Sequence, residues 1–491
     1  MWLMSIANHS RRNFLKAAGT VAGAGLVHPP FRTFWADQPA DYTLHIAATP
    51  IEIAPKRILS TITYNGQFPG PLLRLKEGQQ ITVDVHNHTD TPEQLHWHGQ
   101  FVGDDVDGAA EEGTPYIPAH GLRRLSFTPR PAGFRFYHTH NFAGADLSAG
   151  QYSGQVGLVY IESKHEPGYY DQEVFLVLKE FDPSLSRGGD MEMDFLAPVG
   201  RNKELESTGE SAMKASLRKG MQHGYEVGYQ YFTINGRMLG YGEPIRVKFG
   251  ERVLFHVLNG SATEIRSLAL PGHNFKVVAL DGNPIPTPTD VPALWIGTAE
   301  RVSAIVEMKN PGVWILGDLV DDDRSHGMGI VVEYAGHSGK PQWGKPKPFH
   351  WDYTQFGHRT SPAANFDEQF DLTFAKDNAA DNGFNRWTIN GVAFSMRNPT
   401  PVFHLHQGRR YRLRMRNASD DVHPIHLHRH SFALISIAGR PTGGVQKDVV
   451  MVGGYQEMIV DFTADNPGLT LFHCHQQLHM DFGFMALFDY R

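Results

Sequence analysis

The chain repeats itself three times, and that repeat limits what it can fold into. Tyr64-Asn65-Gly66 recurs as Ile234-Asn235-Gly236 and as Ile389-Asn390-Gly391. The three asparagines are 170 and 155 residues apart. Each triplet is followed by a strand-closing glycine, Gly78, Gly250 or Gly408, and then by Asn-x-Ser/Thr at Asn87, Asn259 and Asn417. A fixed period of this size marks one structural unit used repeatedly. Short runs such as 80–85, 253–257 and 410–415, set off by Gly, Pro, Asn and Asp, read as β-strands. The unit is therefore a β-sandwich, and the chain is expected to be all-β. A length of 491 residues suits three such units. Their boundaries are expected near 165 and 336, giving units 37–165, 166–336 and 337–491. The segment 186–222 breaks the pattern. It is polar, carries Met191, Met193, Met213 and Met221, and is expected to be a lid or a loop.

The formal net charge of −7 and the lack of a basic stripe argue against a nucleic-acid partner. Arg11-Arg12 precede a short apolar run, 17–27. This is the pattern of a twin-arginine export signal, and the run is too short to span a membrane. Residues 1–36 are thus expected to be a signal peptide, with cleavage near Ala36. The mature protein is expected to be periplasmic or secreted, delivered by the twin-arginine machinery.

A single cysteine, Cys474, excludes an intrachain disulfide, while histidine is abundant at 27 residues. Cys474 lies between His473 and His475, with His479 close behind. A thiolate with nearby imidazoles is a copper ligand set, and His₂Cys is the blue-copper arrangement. On a strand, His473 and His475 point to one side and Cys474 to the other, so one strand can serve two metal sites. The alternative, a buried cysteine between structural histidines, is weakened by comparing the units. Aligned without gaps, Pro467-Gly468, Gly483 and Tyr490 fall on Pro311-Gly312, Gly327 and Tyr334, but Asp318 stands for Cys474 and Asp323 for His479. Gly317 and Leu319 replace His473 and His475. The frame therefore does not need these histidines to fold. Unit one keeps Tyr137-His138-Thr139-His140 at that place and adds His96-Trp97-His98-Gly99. Unit three adds His423-Pro424-Ile425-His426-Leu427-His428, where unit two has Ala269 and Pro271 for His426 and His428. His404 and His406 read as a solvated strand face. His430, matched by His273 of the ligand-free unit, reads as structural.

HWHG, HTH, HPIHLH and HCHQQLH, in this order, resemble the four copper motifs of three-domain multicopper oxidases of the laccase-like bacterial type. The resemblance spans about residues 41–491 and implies three consecutive cupredoxin-like Greek-key sandwiches holding four coppers. Residue by residue it implies a type 1 copper at His423, Cys474 and His479, and a type 2 copper at His96 and His426. One type 3 copper would lie at His98, His138 and His475, and the other at His140, His428 and His473. The resemblance also implies a reductant giving one electron at a time to a type 1 copper near the surface. Electrons then pass through Cys474 to His473 or His475, and dioxygen is reduced to water. The cluster should lie between units one and three, with unit two a spacer. Asp107 matches the family's acid beside the type 2 copper, or is only a turn aspartate before Gly108. Where some relatives carry a further acid after the last type 1 histidine, this chain has Met480, then Asp481. The reductant implied is a phenol or aromatic amine. A cuprous ion in copper tolerance, or a non-catalytic structural relative, are the alternatives. Counting from Cys474 puts Phe484, not Met485, at the axial position, with the high reduction potential expected of a three-coordinate site.

Overall fold

The computed structural model describes residues 39–163, 169–186, 202–207, 209, 224–359 and 365–491. The export signal, its Arg11-Arg12 pair and the four methionines of the 186–222 insert lie outside the described residues.

Each repeat of the sequence is a repeat of hydrogen bonds. Asn65, Asn235 and Asn390 all take positive φ, 53°, 52° and 53°, and the next glycine does too. Asparagine and glycine tolerate that region best. Each asparagine then bonds the neighbouring strand three ways. Oδ1 accepts from His45, Val177 and Thr373 N–H at 2.6, 2.7 and 2.8 Å, and the backbone N–H donates back to the same residues. Nδ2 donates to the carbonyls of Thr43, Phe175 and Asp371. The Asn-x-Ser/Thr motif makes a second set, with Asn87, Asn259 and Asn417 Oδ1 accepting from the N–H two residues on. Asparagine therefore recurs because each locks a chain reversal against its strand.

The result is three consecutive cupredoxin-like β-sandwiches. The first pairs the sheet of strands Arg57–Tyr64, Tyr42–Ala54, Ile81–Asn87 and Leu122–Phe127 with that of Gly70–Lys76, Val156–Glu162, Gly133–His138 and His96–His98. In the third, the strand His423–Leu427 lies between Thr470–Cys474 and Val449–Val452. The sandwich sheets change over between Glu162 and Gln172 and between Tyr334 and Glu368. One apolar core fills the first sandwich, and another is continuous through the second and third. No helix among the described residues is long and apolar enough to cross a membrane.

Candidate metal centre

Two cross-strand registers set up the site. In the first sandwich His96 pairs with His138 and His98 with Phe136. In the third, His426 pairs with His473 and Ile425 with Cys474. The second sandwich keeps the register, pairing Ala269 with Gly317, but carries no imidazole there. Alternation along Thr470–Cys474 sends the histidines and the cysteine to opposite faces. Cys474 joins the apolar core of the third sandwich, and His473 faces the first sandwich.

Eight buried imidazoles then converge from the two outer sandwiches. His98, His138 and His475 form a triangle with ring centres 5.6, 5.0 and 5.1 Å apart. His140, His428 and His473 form a second, at 5.0, 5.3 and 5.0 Å. His96 and His426 face each other at 5.8 Å.

The hydrogen bonds show which nitrogens are free. His96 Nδ1 bonds the Asp107 carbonyl at 2.9 Å, and His138 Nδ1 bonds that of Thr139 at 2.7 Å. His426 Nδ1 bonds the Asp448 carbonyl at 2.7 Å, and His473 Nδ1 that of Cys474 at 2.9 Å. These bonds fix each ring and leave Nε2 of His96, His138 and His426 without a partner. His98 is reversed: Nε2 meets Asp448 Oδ1 at 3.1 Å and Nδ1 is orphaned. Both nitrogens of His475 and of His140 lack hydrogen bonds, with His140 Nδ1 lying 3.4 Å from Glu111. His428 Nε2 and His473 Nε2 lie 3.0 Å apart. Buried polar atoms are normally paired, so this many orphaned nitrogens aimed at one space fit metal ions. Burial holds His98, His138, His426, His428, His473 and His475 well below their ordinary pKa. They are neutral, the form that binds metal.

A second set lies on the other face of the same strand. Cys474 Sγ is 3.5 Å from His479 Nδ1 and 3.8 Å from His423 Nδ1. His423 Nε2 is held by Ser419 at 2.8 Å, the serine of the third Asn-x-Ser motif. Phe484 packs against His423 and Trp387, at 4.8 and 5.8 Å between ring centres. Met485 belongs to a separate cluster with Ala109, Phe394 and Leu471. His423 and His479 are 0% and 2% exposed. Trp387 covers His479 at 4.1 Å, and the Phe384–Phe482 stack lies beside it.

Asp107 binds the cluster as well as turning the chain. Its Oδ2 meets His428 Nδ1 at 2.8 Å and His96 Nδ1 at 3.1 Å. Gly108 follows at φ 98°, and a Cβ there would meet the Leu95 carbonyl at 1.9 Å, so only glycine lets the chain pass. Asp481 is occupied elsewhere, accepting from the Ala143 and Gly144 N–H groups at 3.0 and 2.7 Å. His430 is structural: its Nε2 bonds Tyr490 Oη at 2.6 Å, as His273 bonds Tyr334 at 2.5 Å in the second sandwich. His404, half exposed, lies 2.5 Å from an Arg491 nitrogen.

Three residues around the cluster have no local motif to announce them. Glu112 Oε1 is 3.4 Å from His428 Nδ1, and Glu111 approaches His140. Asp448 supports both His98 and His426, and Arg301 grips it with two bonds of 2.6 Å. Arg301 belongs to the second sandwich, and Arg135 of the first joins at 3.3 Å. An arginine of the middle sandwich thus holds an acid that contacts two of the converging histidines. At the place matching His423, Cys474 and His479 that sandwich carries an ion-pair cluster instead. Arg266 stands to Ala269 as His423 stands to His426, and it is ion-paired with Asp323 and near Asp318 at 3.9 Å. These are the residues matching His479 and Cys474.

Sequence profiles of multicopper oxidase domains match residues 46–166, 203–327 and 364–491. The chain is 31% identical over 446 residues to multicopper oxidase MmcO of Mycobacterium tuberculosis, covering 88% of this chain and 84% of that one. It is 30% identical over 328 residues to copper resistance protein A of Pseudomonas syringae pv. tomato, covering 61% of this chain and 52% of that one. Among solved structures, the iron-import multicopper oxidase Fet3p superposes with a TM-score of 0.72 at 19% identity, covering 91% of this chain and 90% of that one. A multicopper oxidase from Pseudomonas thermotolerans does so with 0.67 at 24% identity, covering 92% and 100%.

Proposed function

From the premise that this chain belongs to the multicopper oxidase family, we propose that it couples one-electron oxidation of a phenol or aromatic amine to reduction of dioxygen to water. The observation that supports this most is the stretch 470–475, which presents the Cys474 thiol to one candidate site and the His473 and His475 imidazoles to another. His423, Cys474 and His479 would hold a type 1 copper, and His96 with His426 a type 2 copper. His98, His138 and His475, and His140, His428 and His473, would hold the type 3 pair. Copper bound in these sets supplies one-electron redox chemistry at the first and four-electron reduction of dioxygen at the others.

The chain's own residues do the rest. Cys474 is bonded through the backbone to His473 and His475, so a continuous covalent path joins the two sites. Asp107, Asp448 and the carbonyls of Thr139 and Cys474 fix ring orientation, as outer-shell partners of metal-binding histidines do. Asp107 is placed to pass protons toward the cluster. Burial and the neighbouring Asp107 push the Glu112 carboxyl well above its ordinary value. Oδ1 of Asp107 and Oε2 of Glu112 have no partner.

A metal-ion reductant is the second reading, favoured by one feature. Asp420 and Asp421 flank Lys376 at 2.8 and 2.6 Å, and Lys376 sits over Trp387, which covers His479. Glu226, pushed up to about 8 by burial and by Asp421, is bonded to Asn385 nearby. Carboxylates there suit a cation. Turnover of a phenol and of Cu(I) by the same copper-loaded protein separates the readings. Faster phenol turnover is expected, and a clear preference for Cu(I) would replace the first reading with the second.

Phe484 is proposed to cap the type 1 position. A phenyl ring donates nothing to copper, and losing a weak axial ligand favours Cu(I). Phe484→Met is expected to lower the type 1 reduction potential, while Met485→Leu leaves it nearly unchanged. Redox titration of the blue band reads both, and the opposite pattern would displace Phe484 from this role.

Export by the twin-arginine route is proposed on sequence alone. Replacing Arg11 and Arg12 with lysine is expected to leave precursor in the cytoplasm; normal export of that variant would contradict the proposal.

A further inference from the structure

Away from the buried centre, the outer face of the first sandwich carries a second histidine cluster. His45 on the strand Tyr42–Ala54 pairs directly with His86 on the parallel strand Ile81–Asn87. His88 follows two residues on, and alternation returns it to the same face. His45 Nδ1 and His88 Nε2 lie 2.9 Å apart, with the two ring planes within 17° of parallel. The His86 ring stacks over His45 at 4.8 Å and lies 6.1 Å from His88.

The backbone under these rings is fixed. His45 is bonded both ways to Asn65, and the His88 N–H donates to the Ile46 carbonyl at 2.9 Å. His45 and His88 are exposed and His86 half-buried. Among the described residues, no carboxylate pairs with any of the three. Asp84, on the same strand face, is engaged by Arg124 through two bonds of 2.7 Å. Asp84 is close enough to His86 to feel its charge, but its oxygens are taken by Arg124, so three imidazoles are gathered without a carboxylate bonded to any of them. Burial, together with His86 and His88, lowers the pKa of His45, which also favours its neutral ring.

We propose that His45, His86 and His88 form a surface site for a divalent transition-metal ion, taken most tightly as Cu(II). Imidazole nitrogens bind zinc or copper at roughly 2.0–2.1 Å, so two adjacent ligands at a right angle lie about 2.9 Å apart. The His45–His88 separation already has that value. Metal binding would turn these rings about their χ angles to point the lone pairs at the ion, with His86, on the neighbouring strand that leads to His88, supplying a third nitrogen. Imidazole sites of this kind rank Cu(II) above Zn(II) and Ni(II). The site is separate from the buried centre and shares no residue with it.

The test uses copper-loaded, desalted full-length protein and a His45→Ala/His86→Ala/His88→Ala variant. Both are titrated with Cu(II) by equilibrium dialysis, with electron paramagnetic resonance on the same samples. The wild type is expected to bind one more Cu(II) than the variant, with nitrogen hyperfine structure on the added signal. The blue band and oxidase activity of the two are expected to be equal. Zn(II) should displace the added signal only at higher concentration than Cu(II) needs to restore it. Equal Cu(II) uptake by wild type and variant, at matched blue absorbance, would overturn the site.

Discussion

Cys474→Ser is expected to abolish the blue absorption and the oxidase activity while the protein still folds. The blue band requires thiolate-to-copper charge transfer, and Cys474 is the one thiol in the chain. Serine keeps the size and strand preference of the residue but is a poor copper ligand. His423 and His479 would remain, held by Ser419 and by packing against Trp387. Two imidazoles hold copper far less well than two imidazoles and a thiolate, so copper content should fall by one ion. Folding should survive because the second sandwich builds the same strand with Asp318 there. A destabilisation of about 1 kcal/mol, typical of a single substitution, is expected. Visible spectroscopy, oxygen uptake and thermal melting read the three effects. A folded variant that keeps its blue band would remove Cys474 from the site.

Asp107→Asn is expected to slow oxygen reduction while leaving the blue band in place. The Asp107 carboxylate accepts from His428 Nδ1 and lies 3.1 Å from His96 Nδ1, which bonds the Asp107 backbone carbonyl. An amide can place its one oxygen where Oδ2 lies, but the negative charge that strengthens the His428 bond and faces the cluster is gone. Weakening of such an outer partner costs about 10–100-fold in metal affinity or activity. Stopped-flow measurement separates the halves of the cycle: bleaching of the blue band by reductant should keep its rate, and recovery with oxygen should slow. The Asp107 backbone turn is unchanged in this variant, since Gly108 remains. Wild-type recovery would mean that Asp107 serves only the turn.

The sequence made the histidines readable because each set sits in a short strand motif, where spacing alone fixes the face. The repeat made the fold readable for the same local reason, since each asparagine locks its own reversal. What could not be read joins distant parts of the chain. Asp448 reaches His98 across 350 residues, and Arg301 reaches Asp448 across 147; no local pattern encodes either contact. Glu112 stands just past Asp107 in sequence, but its approach to His428 depends on how two sandwiches dock. The second sandwich shows a further limit. Comparing repeats exposed the missing ligands, and Arg266 was present at the place of His423, yet only packing shows it serving as the cation between Asp318 and Asp323. The ion pairs fill the space that the His423, Cys474 and His479 side chains take in the third sandwich.

The most direct test is copper analysis of fully loaded protein together with its visible and electron paramagnetic resonance spectra. The account predicts four coppers per chain, with one blue signal, one ordinary type 2 signal and a spin-coupled pair that gives none. One copper or fewer in well-loaded, folded protein, or four without a blue signal, would contradict it.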